Sequence, residues 1–456
     1  MSYTYQIEKL RRYFYENNTQ TYEFRKRQLL LLKKVIKENE EHLVKALHKD
    51  FKKPEAEVYL TELAMLYLEI DFHVKNLKRW MRPQRVSSSF LNFPSTDYLI
   101  AKPYGVALII SPWNYPLLLA IHPLISSIAA GNCTFLKLSE IATHTSLTIK
   151  QIIESSFTND YIVCEIADAE QTTELLKQRF DKIFFTGSTK VGAYISEAAS
   201  KHLTPVTLEL GGKSPCVIDE SANLTLAAKR IAFGKFVNAG QTCIAPDFVW
   251  IHKSVKNMFL KELKHAIESL YCSGKQQKTA SIINSKNYNR LSTYLIPEQI
   301  FFGGYCIEED LYISPTILDN VSVSDSIMQE EIFGPILPIL TYDDESEIIA
   351  FNHLQGKPLA FYWFTSRIKQ VKETLNTLQY GGACINDVLS HIVNHKLPFG
   401  GFGKSGMGNY HGKYGFNAFT HLSTLVDRKT YVDIAFKYPP YDKKIKLIKK
   451  FIHRFL

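Results

Sequence analysis

No two of the seven cysteines in this 456-residue chain stand close enough to make a Cys-x-x-Cys pair. An odd, dispersed set excludes a disulfide framework, offers no zinc-ligand spacing and fits a reducing compartment. The first eighteen residues carry charges throughout and lack an apolar core of signal-peptide length, so secretion is not expected and a cytoplasmic location is. Long uninterrupted apolar runs are missing too. The longest apolar region, Gly105 to Leu136, is broken by Pro112, Asn114, Pro116, His122 and Pro123, which reads as a buried strand–loop–helix rather than a membrane span. Acidic residues are absent from Lys443 to Leu456, and this tail holds six of the nine excess positive charges. The body is therefore close to neutral, with no basic face for nucleic acid.

What is present is ordinary globular material: 45% hydrophobic and 22% charged residues, which excludes a disordered or collagen-like chain. The length suits several domains or one large α/β enzyme. Residues 20 to 50 are predicted as one helix from Phe24, Leu29, Leu32, Val35 and Ile36, and Leu60 to Trp80 as a second. Short apolar runs then alternate with helical stretches. Strands are predicted at Tyr98–Ile100, Gly105–Ile110, Thr134–Leu138, Tyr161–Ile166, Lys182–Phe185, Val206–Leu210, Ser214–Ile218 and Phe248–Ile251. Helices are predicted between several of them, as at Val191–His202 and Leu224–Phe236. That alternation predicts an α/β fold with covered parallel sheets.

Four segments join a reactive or ligand-binding side chain to residues that fix its backbone. Pro112-Trp113-Asn114-Tyr115-Pro116 places an amide at a strand end between two prolines, where it can either meet an oxyanion or satisfy a turn. Thr186-Gly187-Ser188-Thr189 joins a strand to a helix. It is neither Gly-x-Gly-x-x-Gly nor a P-loop, and it suits either a phosphate at a helix N-terminus or a plain Ser N-cap. Glu209-Leu210-Gly211-Gly212 sets a carboxylate before two glycines, a general base or a turn-flanking acid. Gly240-Gln241-Thr242-Cys243 holds one of seven cysteines, a nucleophile if its surroundings lower its pKa.

In order and spacing these segments resemble the aldehyde dehydrogenase superfamily over nearly the whole chain. The most specific pairing is Glu-Leu-Gly-Gly-Lys-Ser-Pro at 209–215 with Cys243, 34 residues after Glu209; Glu-Glu-Ile-Phe-Gly-Pro at 330–335 follows in the expected order. Ser-Gly-Met-Gly-Asn-Tyr-His-Gly-Lys at 405–413, a short N-terminus and the tail resemble the class 3 branch, which includes oxidisers of fatty and aromatic aldehydes. The resemblance implies a Rossmann-like cofactor domain (1–83 and 102–210), a catalytic α/β domain (211–418), a small β oligomerisation element (84–101 and 419–432) and the tail (433–456). It implies that Cys243 attacks the aldehyde, that Asn114 and the Cys243 N–H hold the oxyanion, and that Glu209 activates water against the resulting thioester. Cofactor contacts are implied for Trp113, Lys137, Glu140, Gly187, Ser188, Val191, Gly192, Leu210, Glu331 and Phe333. NAD is expected first, with NADP as a second cofactor, and the partners are a lipophilic aldehyde and a second copy of the chain. No metal is expected.

Two departures from the family pattern bear on the cofactor. Lys137-Leu138-Ser139-Glu140 lacks the usual proline, and Ile166-Ala167-Asp168 puts an acid where a glycine pair is usual and where it would repel a phosphate. Tyr115, His391 and Ile392 are candidate walls of the substrate pocket. In the tail, Ile445, Ile448, Ile452 and Phe455 make one helical stripe among cations, which suits packing on protein or lying on an anionic membrane surface. Rival functions are a Cys243 thioesterase or acyltransferase without hydride transfer, a dehydrogenase releasing its product to coenzyme A, and a scaffold without catalysis.

Overall fold

The computed structural model describes residues 2–89, 92–271, 279–433, 438–441 and 444–455. Five apolar residues in a row, all buried, make the strand Val106–Ile110, as a strand covered on both faces requires. It lies between Cys133–Ser139 on one side and Lys182–Thr186 on the other, in a six-stranded sheet. The chain runs outward through Cys133–Ser139 and Ile162–Ala167, then crosses back to Lys182–Thr186 and Val206–Glu209, all parallel. Strand order therefore reverses beside Val106–Ile110, and a crevice opens at the carboxyl ends of Val106–Ile110 and Lys182–Thr186, where open α/β sheets take ligands.

A seven-stranded sheet follows, in the order Ile300–Phe302, Thr316–Leu318, Ile336–Tyr342, Phe248–His252, Pro215–Ile218, Ala360–Phe364, Gly382–Ile385, parallel except at its first pair. The short strand Gly406–Met407 then returns to the first sheet and pairs antiparallel with Val206–Glu209, setting Gly406 opposite Glu209. A third sheet consists of Gln84–Val86, Ser95–Pro103 and Thr420–Arg428. Thr420–Arg428 pairs along its whole length with Ser95–Pro103 and forms one edge of that sheet, with Leu422, Leu425 and Val426 exposed.

The apolar region resolves into strand, helix and strand. Every residue of the helix Leu118–Ala130 is buried, Pro123 included, so its all-round hydrophobicity belongs to a core element. Among the described residues no helix is long and apolar enough to cross a membrane. The helix expected over 20 to 50 is two, Tyr22–Glu38 and Glu40–Phe51. Asn39 leaves helical geometry between them (φ −113°) and turns its side chain back to the Val35 carbonyl. The stretch expected at Leu60 to Trp80 begins earlier, at Glu55, and passes through a π-helical turn at Tyr59–Leu63. In the tail, Ile445–Phe455 is helical with Ile445 and Leu447 exposed, while Lys443, Leu456 and the side chains of Arg454 and Phe455 lie outside the described residues.

Candidate active site

Cys243 and Glu209 each border two cavities. One, about 620 Å³, is walled by apolar side chains including Leu118, Leu119, Phe233, Ile392, Phe399 and Tyr410. The other, about 470 Å³, is lined by Trp113, Asn114, Gly187, Ser188, Glu331 and Phe333. Leu119, Thr186 and Leu210 also face both, so thiol and carboxylate stand where the two spaces meet.

The loop carrying Cys243 is strained. After the helix Leu224–Phe236, Asn238, Ala239 and Gly240 have φ of 54°, 52° and 72°. Successive left-handed residues other than glycine are costly and persist only where their surroundings fix them. At Gly240 nothing larger fits, because a side chain would run into the Gly334 carbonyl. Hydrogen bonds hold the rest: Asn238 Nδ2 donates to the Asn114 carbonyl (2.8 Å), Asn114 Nδ2 donates to the Gln241 carbonyl (3.0 Å), and Gln241 Nε2 donates to the Ser281 carbonyl (3.1 Å). An amide carries two N–H bonds, so Asn114 keeps one donor beyond that to Gln241.

Burial pushes the Cys243 thiol pKa up, and the nearby Glu331 and Glu209 carboxyls push it further, against the N–H groups of Cys243 and Ile244. The surroundings thus do the reverse of what a preformed thiolate needs, and a base must take the proton. Glu209 is 2% exposed, neither of its oxygens has a hydrogen-bond partner, and burial holds its pKa well above the usual carboxylate range. A buried carboxyl left unpartnered is expensive and marks a functional site. Glu331 is raised to about 8, by burial first and Asp247 second, against the Gly212 N–H, Lys213 and Lys235. Lys213 ties this corner together through Asp247 (2.5 Å) and the carbonyls of Ile327 (3.1 Å) and Glu330 (2.9 Å).

Among the expected cofactor contacts, Trp113, Gly187, Ser188, Leu210, Glu331 and Phe333 line the smaller cavity. Lys137, Glu140, Val191 and Gly192 lie outside that lining. Lys137, 7% exposed at the end of its strand, pairs with Glu140 at 3.2 Å. Ser188 caps the helix Thr189–Ser200 by accepting from the Val191 N–H. Trp113 and Phe333 meet edge to face at 5.4 Å, with Phe333 at a positive φ of 52°. A crevice at the switch point, a helix N-terminus beside it, and an acid and two aromatics at its end fit a dinucleotide. Asp168 caps the helix Ala169–Leu176 in a reciprocal box with Gln171 and lies outside the lining of the smaller cavity. Of the candidate pocket walls, Tyr115 and Ile392 face the apolar cavity, whereas His391 turns behind it to the Cys384 sulfur (3.3 Å). Asn287 borders the smaller cavity without any signal in the sequence, whereas Glu330 and Thr242 stand inside the motifs around Glu331 and Cys243 but were given no role there.

A profile of the aldehyde dehydrogenase family matches residues 4–425. The chain is 44% identical over 443 residues to 4,4'-diaponeurosporen-aldehyde dehydrogenase of Staphylococcus aureus, covering 96% of each. It is 40% identical over 418 residues to aldehyde dehydrogenase family 3 member A2 of Pongo abelii, covering 91% of this chain and 86% of that one. Among solved structures, a substrate-bound state of Staphylococcus aureus AldH superposes with a TM-score of 0.97 at 42% identity, covering 99% of this chain and 100% of that one.

Proposed function

The chain belongs to the aldehyde dehydrogenase family and is an NAD(P)-dependent aldehyde oxidiser; we propose that it converts lipophilic aldehydes to carboxylic acids through a thioester on Cys243. The observation that carries this reading is the shared position of Cys243 and Glu209 between an apolar cavity and the cleft lined by Trp113, Ser188, Glu331 and Phe333.

In the proposed sequence the aldehyde chain lies in the apolar cavity. Glu209 takes the thiol proton, directly or through water, and the Cys243 sulfur bonds to the carbonyl carbon. Negative charge moves to the oxygen, which receives the free Asn114 N–H and the Cys243 backbone N–H. The tetrahedral carbon can now release its hydrogen with the electron pair, which an aldehyde carbon cannot do. The dinucleotide, when bound, supplies the hydride acceptor. The acyl group remains on sulfur as a thioester. Once Glu209 has passed the thiol proton to solvent, it removes a proton from water, the hydroxide adds to the acyl carbon, and the C–S bond breaks to give the acid and a thiolate, which takes its proton back from Glu209. Trp113, Ser188, Glu331 and Phe333 would hold the dinucleotide, with Gly187, Leu210 and Gly192 shaping the backbone around it. The Lys137–Glu140 pair would meet its adenosine ribose, and the Val191 turn its phosphates. Glu140 favours NAD, and Lys137 beside it softens the penalty for a 2′-phosphate.

A thioesterase or acyltransferase would need no cleft beside the thiol. The test is NAD reduction with hexanal, decanal, benzaldehyde and a polyene aldehyde, repeated on Cys243→Ala and Glu209→Gln. No NADH from the first, and one equivalent of NADH, formed more slowly than in the parent, with a trapped acyl-enzyme from the second, are expected. Steady turnover by either variant ends the reading.

We further propose that two copies pair through Thr420–Arg428, whose long edge leaves apolar side chains exposed. The tail stripe is proposed to lie on anionic membrane, its cations each contributing about 1 kcal/mol near the surface. Vesicles of anionic lipid should pull down the full chain and not a chain ending at residue 432; equal sedimentation of the two rules this out.

A further inference from the structure

Lys53 is fully buried, and the catalytic scheme above does not use it. Its ammonium lies 2.9 Å from Glu62 Oε1, an ion pair with neither side chain exposed, and 4.3 Å from the centre of the Tyr115 ring. The other Glu62 oxygen accepts the N–H groups of Leu117 (3.1 Å) and Leu118 (3.0 Å), which continue the chain two peptides beyond Asn114–Tyr115. A second carboxylate, Glu57, accepts the N–H of Asn238 at 2.8 Å and so braces the left-handed run that leads to Cys243. Burial pushes the Glu57 pKa up, and Lys53 is the main influence pulling it back down. Finally, Tyr115 Oη and Thr242 Oγ1 share a hydrogen bond of 2.7 Å. These are the direct chain neighbours of Asn114 and Cys243.

One ammonium thus serves both halves of the centre. Through Glu62 it fixes the turn bearing the oxyanion amide, and through the Tyr115 ring it borders the hydrogen bond that ties this turn to the loop bearing the nucleophile, a loop that Glu57 braces. We propose that Lys53 is a positioning residue of this active site, the shared counter-ion that registers Asn114 against Cys243, a role that rests on the functional reading given above. Its placement depends on local structure that apolar periodicity does not encode. Lys52 ends the helix Glu40–Phe51 in left-handed geometry, so Lys53 turns inward before Pro54. The π-helical turn at Tyr59–Leu63 sets Glu62 on the same side as Glu57, five residues away. Wide turns of this kind recur at functional positions.

A buried charge pair need not add stability over apolar packing, but removing one member strands the other. Misplacing the reacting groups by a fraction of an ångström is costly in rate. The titratable groups facing Lys53 are Glu57, Glu62 and Tyr115, with Glu55, Lys49 and His144 along the groove that its stem borders.

The test uses full-length enzyme, NAD and decanal, with the NADH burst rate measured for Lys53→Met, Tyr115→Phe, Glu62→Gln and Cys243→Ala. Lys53→Met is expected to slow the burst about tenfold to a hundredfold with KM for NAD unchanged. The deficit should shrink as pH falls, because a proton on Glu57, whose pKa burial raises, replaces the missing ammonium. A residue that merely fills space would give a deficit independent of pH. Tyr115→Phe, which keeps the ring and loses the hydroxyl, should slow the burst severalfold. A folded Lys53→Met with the parent burst rate, or with a deficit constant across pH, overturns the proposal. Where Lys53→Met is insoluble, parent burst rates in both Tyr115→Phe and Glu62→Gln overturn it. A burst from Cys243→Ala overturns the functional reading instead.

Discussion

The Glu331 carboxylate occupies the space in which a side chain on Gly211 would lie. This contact explains why the residue two positions after Glu209 has no side chain: the acid expected to meet the dinucleotide reaches over the backbone that follows the proposed general base. Close approach, rather than a turn, is what the glycine permits.

Gly211→Ala should therefore displace Glu331 while leaving the fold intact. We expect KM for NAD to rise about tenfold, with the rate of iodoacetamide labelling at Cys243 little changed, since the methyl meets the cofactor side of the cleft. Equilibrium titration of NAD against the variant provides the check.

The raised pKa of Glu209 sets the direction of two pH effects. As a base it works only when ionised, so hydrolysis of the thioester should accelerate as pH rises, and Glu209→Gln should flatten that profile. Stability runs the other way. Folded Glu209 holds its proton above the pH at which the unfolded chain has released it, so its contribution to stability is lost as pH rises towards the raised folded value. Glu209→Leu should unfold at a higher temperature than the parent, with a gap that widens from mildly acidic to alkaline pH. Removing a buried carboxyl without partners is worth about 1–3 kcal/mol. Scanning calorimetry across pH measures it.

Much of this could be read from the chain. The strands from Val106–Ile110 to Phe248–His252 fall within a few residues of their predicted bounds, because each is a short apolar run buried on both faces. Cys243, Glu209 and Asn114 stood out as candidates because glycines and prolines mark the backbone around them, and the family resemblance supplied the roles expected of them. What was hidden depends on pairing between distant segments. Nothing near Lys53 signals that it meets Glu62 and Tyr115, whereas the Asp168–Gln171 box is local and its Asp-x-x-Gln spacing stood in the sequence unread. The thiol's raised pKa was equally unreadable, since burial is a property of the assembled walls.

The apolar cavity predicts a preference for chain length. Each methylene moved from water into it is worth about 0.8 kcal/mol, so kcat/KM should climb roughly three- to fourfold per carbon until the space is filled. Phe399, 5% exposed on the wall, is the side chain to enlarge or remove. Phe399→Ala should shift the optimum towards bulkier aldehydes in a competition assay followed by mass spectrometry.

Pairing through the strand Thr420–Arg428 is tested by charge. Leu422→Lys with Val426→Lys places two cations on exposed positions of that edge, where like charges from two copies would meet. The expected result is a monomer by light scattering, and a dimer that survives both substitutions would mean that the contact lies elsewhere.

The antiparallel pairing of Gly406–Met407 with Val206–Glu209 also sets the order in which the protein can be completed. A ribosome has made the strand ending in Glu209 long before residues 406 and 407 emerge. During that interval the growing chain presents an unpaired edge beside Glu209, open to mispairing with neighbouring nascent chains. Completion of this sheet thus waits on a segment translated roughly two hundred residues after the strand it covers.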